Sequence, residues 1–152
     1  MNNTISNSLK SRTFADTIIS CLLCFVELGF AVYHIIEYIC GGSPECISNA
    51  VCSFIIAVEL GLLSLILLEI KKTGKPFSKK IIIKLRAMAL VLIIGGLMPR
   101  IDEITSEGGN EALSFTLNST NMLIIFIGIM IGILSEIFVY GHSLQQDNDL
   151  IA

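Results

Sequence analysis

Four long apolar runs, separated by short polar connectors, limit what this chain can fold into. They are Phe14 to Ile39, Ile47 to Ile70, Ile81 to Pro99 and about Asn118 to Tyr140. Each is close to the roughly 20 residues that an α-helix needs to cross a hydrocarbon core of about 30 Å. Lipid offers backbone N–H and C=O groups no partners, so runs of this kind in a bilayer must be helical. The composition agrees: 53% of residues are hydrophobic and 15% charged, whereas about 25% are charged in a soluble domain. The expected fold class is all-α, a single membrane domain over residues 1–152 built as an integral membrane four-helix bundle. The third run is the least secure, because it contains Lys84 and Arg86 and spans only if they extend their charged ends to the headgroups. No removable signal peptide is expected: the run after Lys10 and Arg12 is too long for one, and it is read as a retained span behind a polar, mobile leader.

Basic residues set the direction. Lys10 and Arg12 precede the first run. Lys71, Lys72, Lys75, Lys79, Lys80, Lys84 and Arg86 lie between the second and third or at their edge, and Arg100 alone falls on the other side. The positive-inside rule then places both termini, the loop 71–80 and the tail 141–152 in the cytoplasm. The loop around Pro44 and the acidic segment RIDEITSEGGNE face outward. The localisation expected is the bacterial cytoplasmic (plasma) membrane, multi-pass.

Within the spans, ionisable residues are the natural functional candidates, since each costs several kcal/mol to place in hydrocarbon. Glu27 and Glu59 lie near the middle of the first and second runs. Hydrocarbon disfavours the charged form, so at least one is expected to be protonated at neutral pH, and the two could share a proton and a hydrogen bond. His34 follows Glu27 by seven residues, about 20° off the same helical face, and Glu37 is one turn further. With Asp16 and Ser20 they draw a polar stripe along the first helix. It reads either as interhelical bonding inside the bundle or as a proton or ion path.

At the cytoplasmic edge, Glu69, Lys84, Arg86 and Glu136 form a second cluster of candidate ion pairs. Gly128, Gly132 and Glu136 are spaced by four, a small-residue face that permits close helix approach and turns Glu136 toward a neighbour, here the third span. The central basic loop can attract anionic lipid, or act only as the topology determinant.

The remaining motifs carry less. Cys21 and Cys24 form a CxxC, but inside a lipid-embedded helix, where packing is a better reading than redox chemistry. Cys40 and Cys46 flank GGSPE and could form a disulfide in an oxidising exterior. His34, His142 and the cysteines match no zinc spacing, so no metal and no cofactor are expected. Asn118-Ser-Thr fits a glycosylation sequon, which has no meaning in a bacterium. No phosphate loop, nucleophile elbow or nucleophile–base pair is apparent, and an enzyme is not expected.

Two segments together carry a resemblance. TGKPFSKKIIIKLRAMAL and SEIFVYGHSLQQDNDLIA resemble the bacterial membrane family catalogued as domain of unknown function 2975, whose members are small four-span proteins with a GKPFS…LR segment and a related terminal tail. The matching positions are Gly74, Lys75, Pro76, Phe77, Ser78, Leu85, Arg86, Phe138, Gly141, Leu144, Gln145, Asn148, Asp149 and Leu150. The likeness covers the second half well and the first half mainly by span count, and Ile151-Ala152 departs from the usual ending. The resemblance implies no established activity. It does imply a genomic neighbour encoding a small helix-turn-helix regulator. In the expected topology both segments are cytoplasmic, and Asn148 and Asp149 could fold back onto Lys79, Lys80 or Arg86.

The leading expectation is a regulatory or accessory partner of such a regulator or another cytoplasmic factor, seated in the lipid bilayer, without direct contact to nucleic acid, and compatible with a homo-oligomer. One alternative is a small proton-coupled transporter or channel using Glu27, Glu59 and His34. Another is an immunity-type protein against a membrane-active peptide, touching it through the outer loops.

Overall fold

The computed structural model describes residues 2–74, 77–105 and 111–151, with side chains described for residues 11–74, 77–101 and 114–147. The order is α1 (Asn2–Ile39), α2 (Glu45–Thr73), α3 (Lys79–Leu97), β1 (Arg100–Thr105), β2 (Glu111–Thr116) and α4 (Ser119–Ile151).

Local chemistry explains where the helices stop. α1 closes on Gly41, whose φ of +95° is left-handed, and the Gly42 N–H donates to the Glu37 carbonyl at 2.9 Å. Pro44 then stands at the N-cap of α2. α2 ends on Gly74, φ +66°, whose N–H donates to the Ile70 carbonyl at 2.8 Å, with Lys71 and Lys72 in the last turn facing the negative end of the helix dipole. Ser78 caps α3, its Oγ accepting from the Ile81 N–H at 3.4 Å. Asn121 closes the other end of α3, donating from Nδ2 to the carbonyls of Gly96 at 3.1 Å and Met98 at 2.7 Å.

α1 and α2 form an antiparallel hairpin, and α3 and α4 form a second. The α1–α2 seam is made of small residues. Thr17, Ser20 and Ala31 of α1 are buried, as are Cys46, Ala50, Ala57 and Ser64 of α2, and the Cys24 thiol donates to the Ala57 carbonyl at 3.2 Å. The α3–α4 seam is glycine-lined: Gly96 lies against Ile125 and the Asn121 carbonyl, and Gly128 against Ile93 and the Ala89 carbonyl. α2 joins the two hairpins by packing against α3. Among the described residues, α1 has no close backbone approach to α3 or α4, nor has α2 to α4. The expected all-α, four-helix architecture thus takes the form of an open row of two hairpins. Large apolar side chains on the outer faces of the row, such as Phe25 and Phe126, are left exposed.

Three helical segments, Ser11–Ile39, Glu45–Thr73 and Ser119–Asp147, are long and apolar enough to cross a membrane. α3 is not among them, because Lys79, Lys80, Lys84 and Arg86 crowd its first two turns. Two other differences concern connectors. The acidic segment read as a loop is an antiparallel β-hairpin, with Arg100 opposite Thr116 and Thr105 opposite Glu111. The leader and the tail are helical, from Asn2 and as far as Ile151.

Candidate functional site

The two ends of the row differ in chemistry. At one end, called here the loop end, α2 turns into α3. The Phe77 ring packs edge-on against Phe138 of α4, with centroids 5.1 Å apart. Gly141 makes this possible: a Cβ there would lie 2.7 Å from Phe77 Cδ1 and 2.8 Å from its Cε1. His142 follows, its Nδ1 donating to the Phe77 carbonyl at 2.7 Å. A carbonyl can only accept, so Nδ1 carries a proton. Nε2 is buried without a partner, and so is Gln145 Oε1 one turn on. Beneath this junction, Ile66, Ile81 and Met88 form a core with Leu62, Leu85, Ile131 and Phe138 around it.

The two segments that carry the family resemblance thus meet. Phe77 docks on Phe138, Gly141 and His142; Leu85 and Phe138 fill the shared core; Gly74 and Ser78 terminate the flanking helices. Leu144 is exposed on α4, as is Tyr140 one turn before it. Lys75 and Pro76 lie outside the described residues. The side chains of Asn148, Asp149 and Leu150 also lie outside the described ones, and with them the proposed fold-back onto Lys79, Lys80 or Arg86.

The charge cluster at the same end is assembled from three helices. Arg86 Nη2 of α3 donates to Glu136 Oε1 of α4 at 2.9 Å. Lys84 Nζ donates to the Leu65 carbonyl of α2 at 2.9 Å and stands 3.9 Å from Glu69 Oε2. Lys80 Nζ is 4.0 Å from Glu69 Oε1, a partner that the sequence reading did not assign. Gly128, Gly132 and Glu136 do share the α4 face turned to α3.

The mid-helix cluster is not assembled. His34 Nδ1 lies 3.3 Å from Glu37 Oε2 on the same helix, a local pair rather than an interhelical one. Glu27 is half-buried, without a hydrogen bond or ion pair among the described residues. Both Glu59 oxygens are buried without a hydrogen-bond partner. The expected Glu27–Glu59 hydrogen bond is therefore absent, for a reason of azimuth. Ala57 of α2 faces α1, while Ile55 meets Gly95 of α3. At about 100° per residue, Glu59 lies roughly 40° from Ile55 and 160° from Ala57, so it points away from α1. Similar depth did not imply a shared side. The polar stripe on α1 is also broken, because Asp16 is exposed while Ser20 is buried in the seam.

The two cysteines that flank the outer turn are not bridged in this structure. Cys40 and Cys46 are free: Cys46 turns inward on the first turn of α2 and is buried, while Cys40 stays exposed beyond α1. No group of three or more potential metal ligands occurs among the described residues.

At the opposite end, the β-hairpin lies over α2. The Ile101 N–H donates to Ser48 Oγ at 2.8 Å, and below the hairpin a cavity of about 540 Å³ opens between α2, α3 and α4. Nothing in the sequence reading anticipated it, because its walls come from separate helices.

Comparison with protein-family models found no match. Comparisons with curated proteins and with solved structures found none either.

Proposed function

We propose that this chain is a membrane-embedded accessory protein whose loop end is a cytoplasmic docking surface for a regulatory protein. The observation that carries the reading is the Phe77–Phe138–Gly141–His142 junction. It joins a basic inter-helix loop to the distal part of α4, so that two segments far apart in sequence form one surface. α4 continues as a helix past this junction, with Tyr140 exposed within it and Leu144 beyond it, and with Lys79 and Lys80 exposed nearby on α3.

Membrane insertion is supported by the three long apolar helices and by the exposed apolar flanks, which water would leave unsolvated. α3 spans with them on this reading. It runs alongside α2: Lys84, in its second turn, reaches Leu65, and Ile101, just past its other end, has its N–H bonded to Ser48. Its length of 19 residues at 1.5 Å each matches a hydrocarbon core of about 30 Å. Glu69 and Glu136 supply counter-charges for Lys84 and Arg86, which lowers the cost of holding those cations near the inner headgroups. With α1 starting and α4 finishing at the loop end, the basic residues favour a cytoplasmic loop end. The resemblance to the domain of unknown function 2975 family makes a small helix-turn-helix regulator the first partner to test, in a bacterial plasma membrane.

A photocrosslinking residue at Leu144 tests the docking surface. It is expected to trap one cytoplasmic protein in intact cells, and the adduct should disappear when Phe77→Ala releases the loop. The same residue at Phe126, on an exposed mid-span face, should trap no soluble protein. Equal trapping at the two positions, or an adduct indifferent to Phe77→Ala, refutes the docking surface.

One observation favours a second reading. The Glu59 carboxyl is buried in the middle of α2 without a partner, which is how a proton- or ion-binding group of a small transporter is held. Glu59→Gln would then abolish flux in proteoliposomes, and native protein without flux would dispose of that reading.

A further inference from the structure

Among the described residues, the two helical hairpins meet along one seam, α2 against α3 with β1 at its far end. The seam is unequal along its length. At the loop end it is held by Lys84, whose Nζ donates to the Leu65 carbonyl at 2.9 Å. Glu69 adds contacts to Lys84 and Lys80, and Ile66, Ile81 and Met88 form a shared core. At the β-hairpin end the cavity of about 540 Å³ leaves the seam underfilled, and the bond from Ile101 N–H to Ser48 Oγ crosses it. Glu59 stands between these two halves. Ile55, one turn before it, lies against Gly95 of α3, and Leu62 after it packs on the shared core. Residues spaced by three and four share one helical face, so Glu59 belongs to the face that meets α3. Its depth follows from three contacts, Ser48 with Ile101, Ile55 with Gly95 and Leu65 with Lys84. These run antiparallel and set Glu59 level with Val91. Both of its carboxyl oxygens are buried there without a hydrogen-bond partner.

We propose that this seam is a proton-controlled hinge: a proton on Glu59 keeps the two hairpins together, and its loss lets them part at the β-hairpin end while the loop end acts as the pivot. The charged groups around the seam explain why. On α3, Lys84 is tied to Leu65 and lies roughly 9 Å nearer the loop end, at 1.5 Å per residue, and Arg86 is paired with Glu136 of α4. On α2, Glu69 lies at the loop end with Lys84 and Lys80. Glu27 and His34 belong to α1, on the other side of α2. The α3 and α4 residues that reach the middle of the seam, Met88, Leu92, Ile124 and Ile131, are apolar. A carboxylate at this place would have neither counter-charge, donor nor water, the costliest condition for a buried charge, whereas a neutral acid costs far less. The joined row and the ionised carboxyl therefore exclude each other. The cavity decides the direction of opening. It reaches Ile55 and Leu92, one turn from Glu59, so a small separation at that end admits water to the carboxyl. On the membrane reading that end faces outward, and the proton exchanges with the exterior. The linkage has one sign: acid favours the joined row, and rising pH favours the parted one.

Double electron–electron resonance on the full chain in lipid nanodiscs tests the hinge. The native cysteines are replaced by alanine, and nitroxides are placed in pairs at exposed positions. Tyr38→Cys with Met122→Cys spans the hairpins at the β-hairpin end, and Leu68→Cys with Ile137→Cys spans them at the loop end. Raising the pH should lengthen the first distance by at least about 3 Å, the width of the water that the carboxylate needs, and leave the second unchanged. Glu59→Gln keeps the shape of the neutral acid and should hold the short distance at every pH. Glu59→Leu, of similar size and without a titratable group, should do the same and serves if the first variant does not fold. Glu27→Gln should keep the full response. A distance indifferent to pH with Glu59 intact overturns the proposal, as does a response that survives in Glu59→Gln or Glu59→Leu, disappears in Glu27→Gln, or is equal at the two ends. The hinge deepens the transporter reading of Glu59 and is separable from it. Hairpins that part without any flux fail only the transporter, and flux with immobile hairpins fails only the hinge.

Discussion

Gly128 and Gly132 lie on one face of α4, one turn apart, and the structure gives them different tolerances. A Cβ on Gly128 would stand 2.9 Å from Ile93 Cγ1 and 3.1 Å from both the Ala89 carbonyl oxygen and the Ile93 nitrogen. Two of those three atoms are backbone, so α3 itself must give way. A Cβ on Gly132 would meet only the Ala89 Cβ at 3.7 Å, an ordinary contact. Replacing glycine by alanine within a helix gains about 1 kcal/mol in propensity at either site. Overpacking costs about 1–3 kcal/mol where the added methyl has no room. Gly132→Ala should therefore stabilise by up to about 1 kcal/mol, while Gly128→Ala should range from neutral to a loss of about 2 kcal/mol. The propensity gain cancels in the comparison, and the gap of about 1–3 kcal/mol isolates the helix–helix contact. Unfolding of the two purified variants in mixed micelles, titrated with a denaturing detergent and followed by circular dichroism, reads that gap. Equal stability of the two variants, or greater stability of Gly128→Ala, would refute the packing derived for the α3–α4 hairpin.

Three further outcomes are expected. Arg86→Glu should lower stability by no more than about 1 kcal/mol, since Arg86 and Glu136 are both more than half exposed, and the exchange Arg86→Glu with Glu136→Arg should recover it in the same unfolding assay. A maleimide should modify Cys40 well before Cys46 in the folded chain, because Cys46 is 6% exposed; mass mapping of the labelled peptides shows the order. Gly74→Ala forces a Cβ into left-handed backbone and should cost about 1–2 kcal/mol, whereas Ala at Gly29, which has open space around it, should not destabilise α1; thermal unfolding separates the two.

Much of the helical architecture was legible in the sequence, because hydrocarbon-length apolar runs and glycine or proline stops are local signals. Gly41, Pro44 and Gly74 mark helix ends where their side-chain chemistry demands it. The face carrying Gly128, Gly132 and Glu136 was legible from spacing alone, as a four-residue period keeps side chains on one side of a helix. What was lost depends on relations between helices. Glu27 and Glu59 stand at similar depth, but the rotation of α2 about its own axis, set by Ala57 against α1 and Ile55 against α3, sends them to different sides. The β-hairpin had a signal in Gly108-Gly109 between RIDEIT and EALSFT, two short stretches with apolar or β-branched residues, hidden by the acidity that suggested a plain loop. The docking of Phe77 on Gly141 could not be read from either segment by itself, and the cavity beside Arg100 needed three helices in place. The open row of hairpins was likewise invisible, since an apolar run looks the same whether it faces lipid or another helix.

Side-specific thiol labelling is the most direct test of the claim that the loop end and the distal part of α4 lie together on the inner face of a membrane. Single-cysteine chains with Lys72→Cys or Gln146→Cys, and one retaining only Cys40, would be treated in intact cells with a membrane-impermeant maleimide. The account predicts modification of Cys40 alone, with the other two reacting only after permeabilisation. Modification at position 72 or 146 from outside, or protection of Cys40, would contradict it.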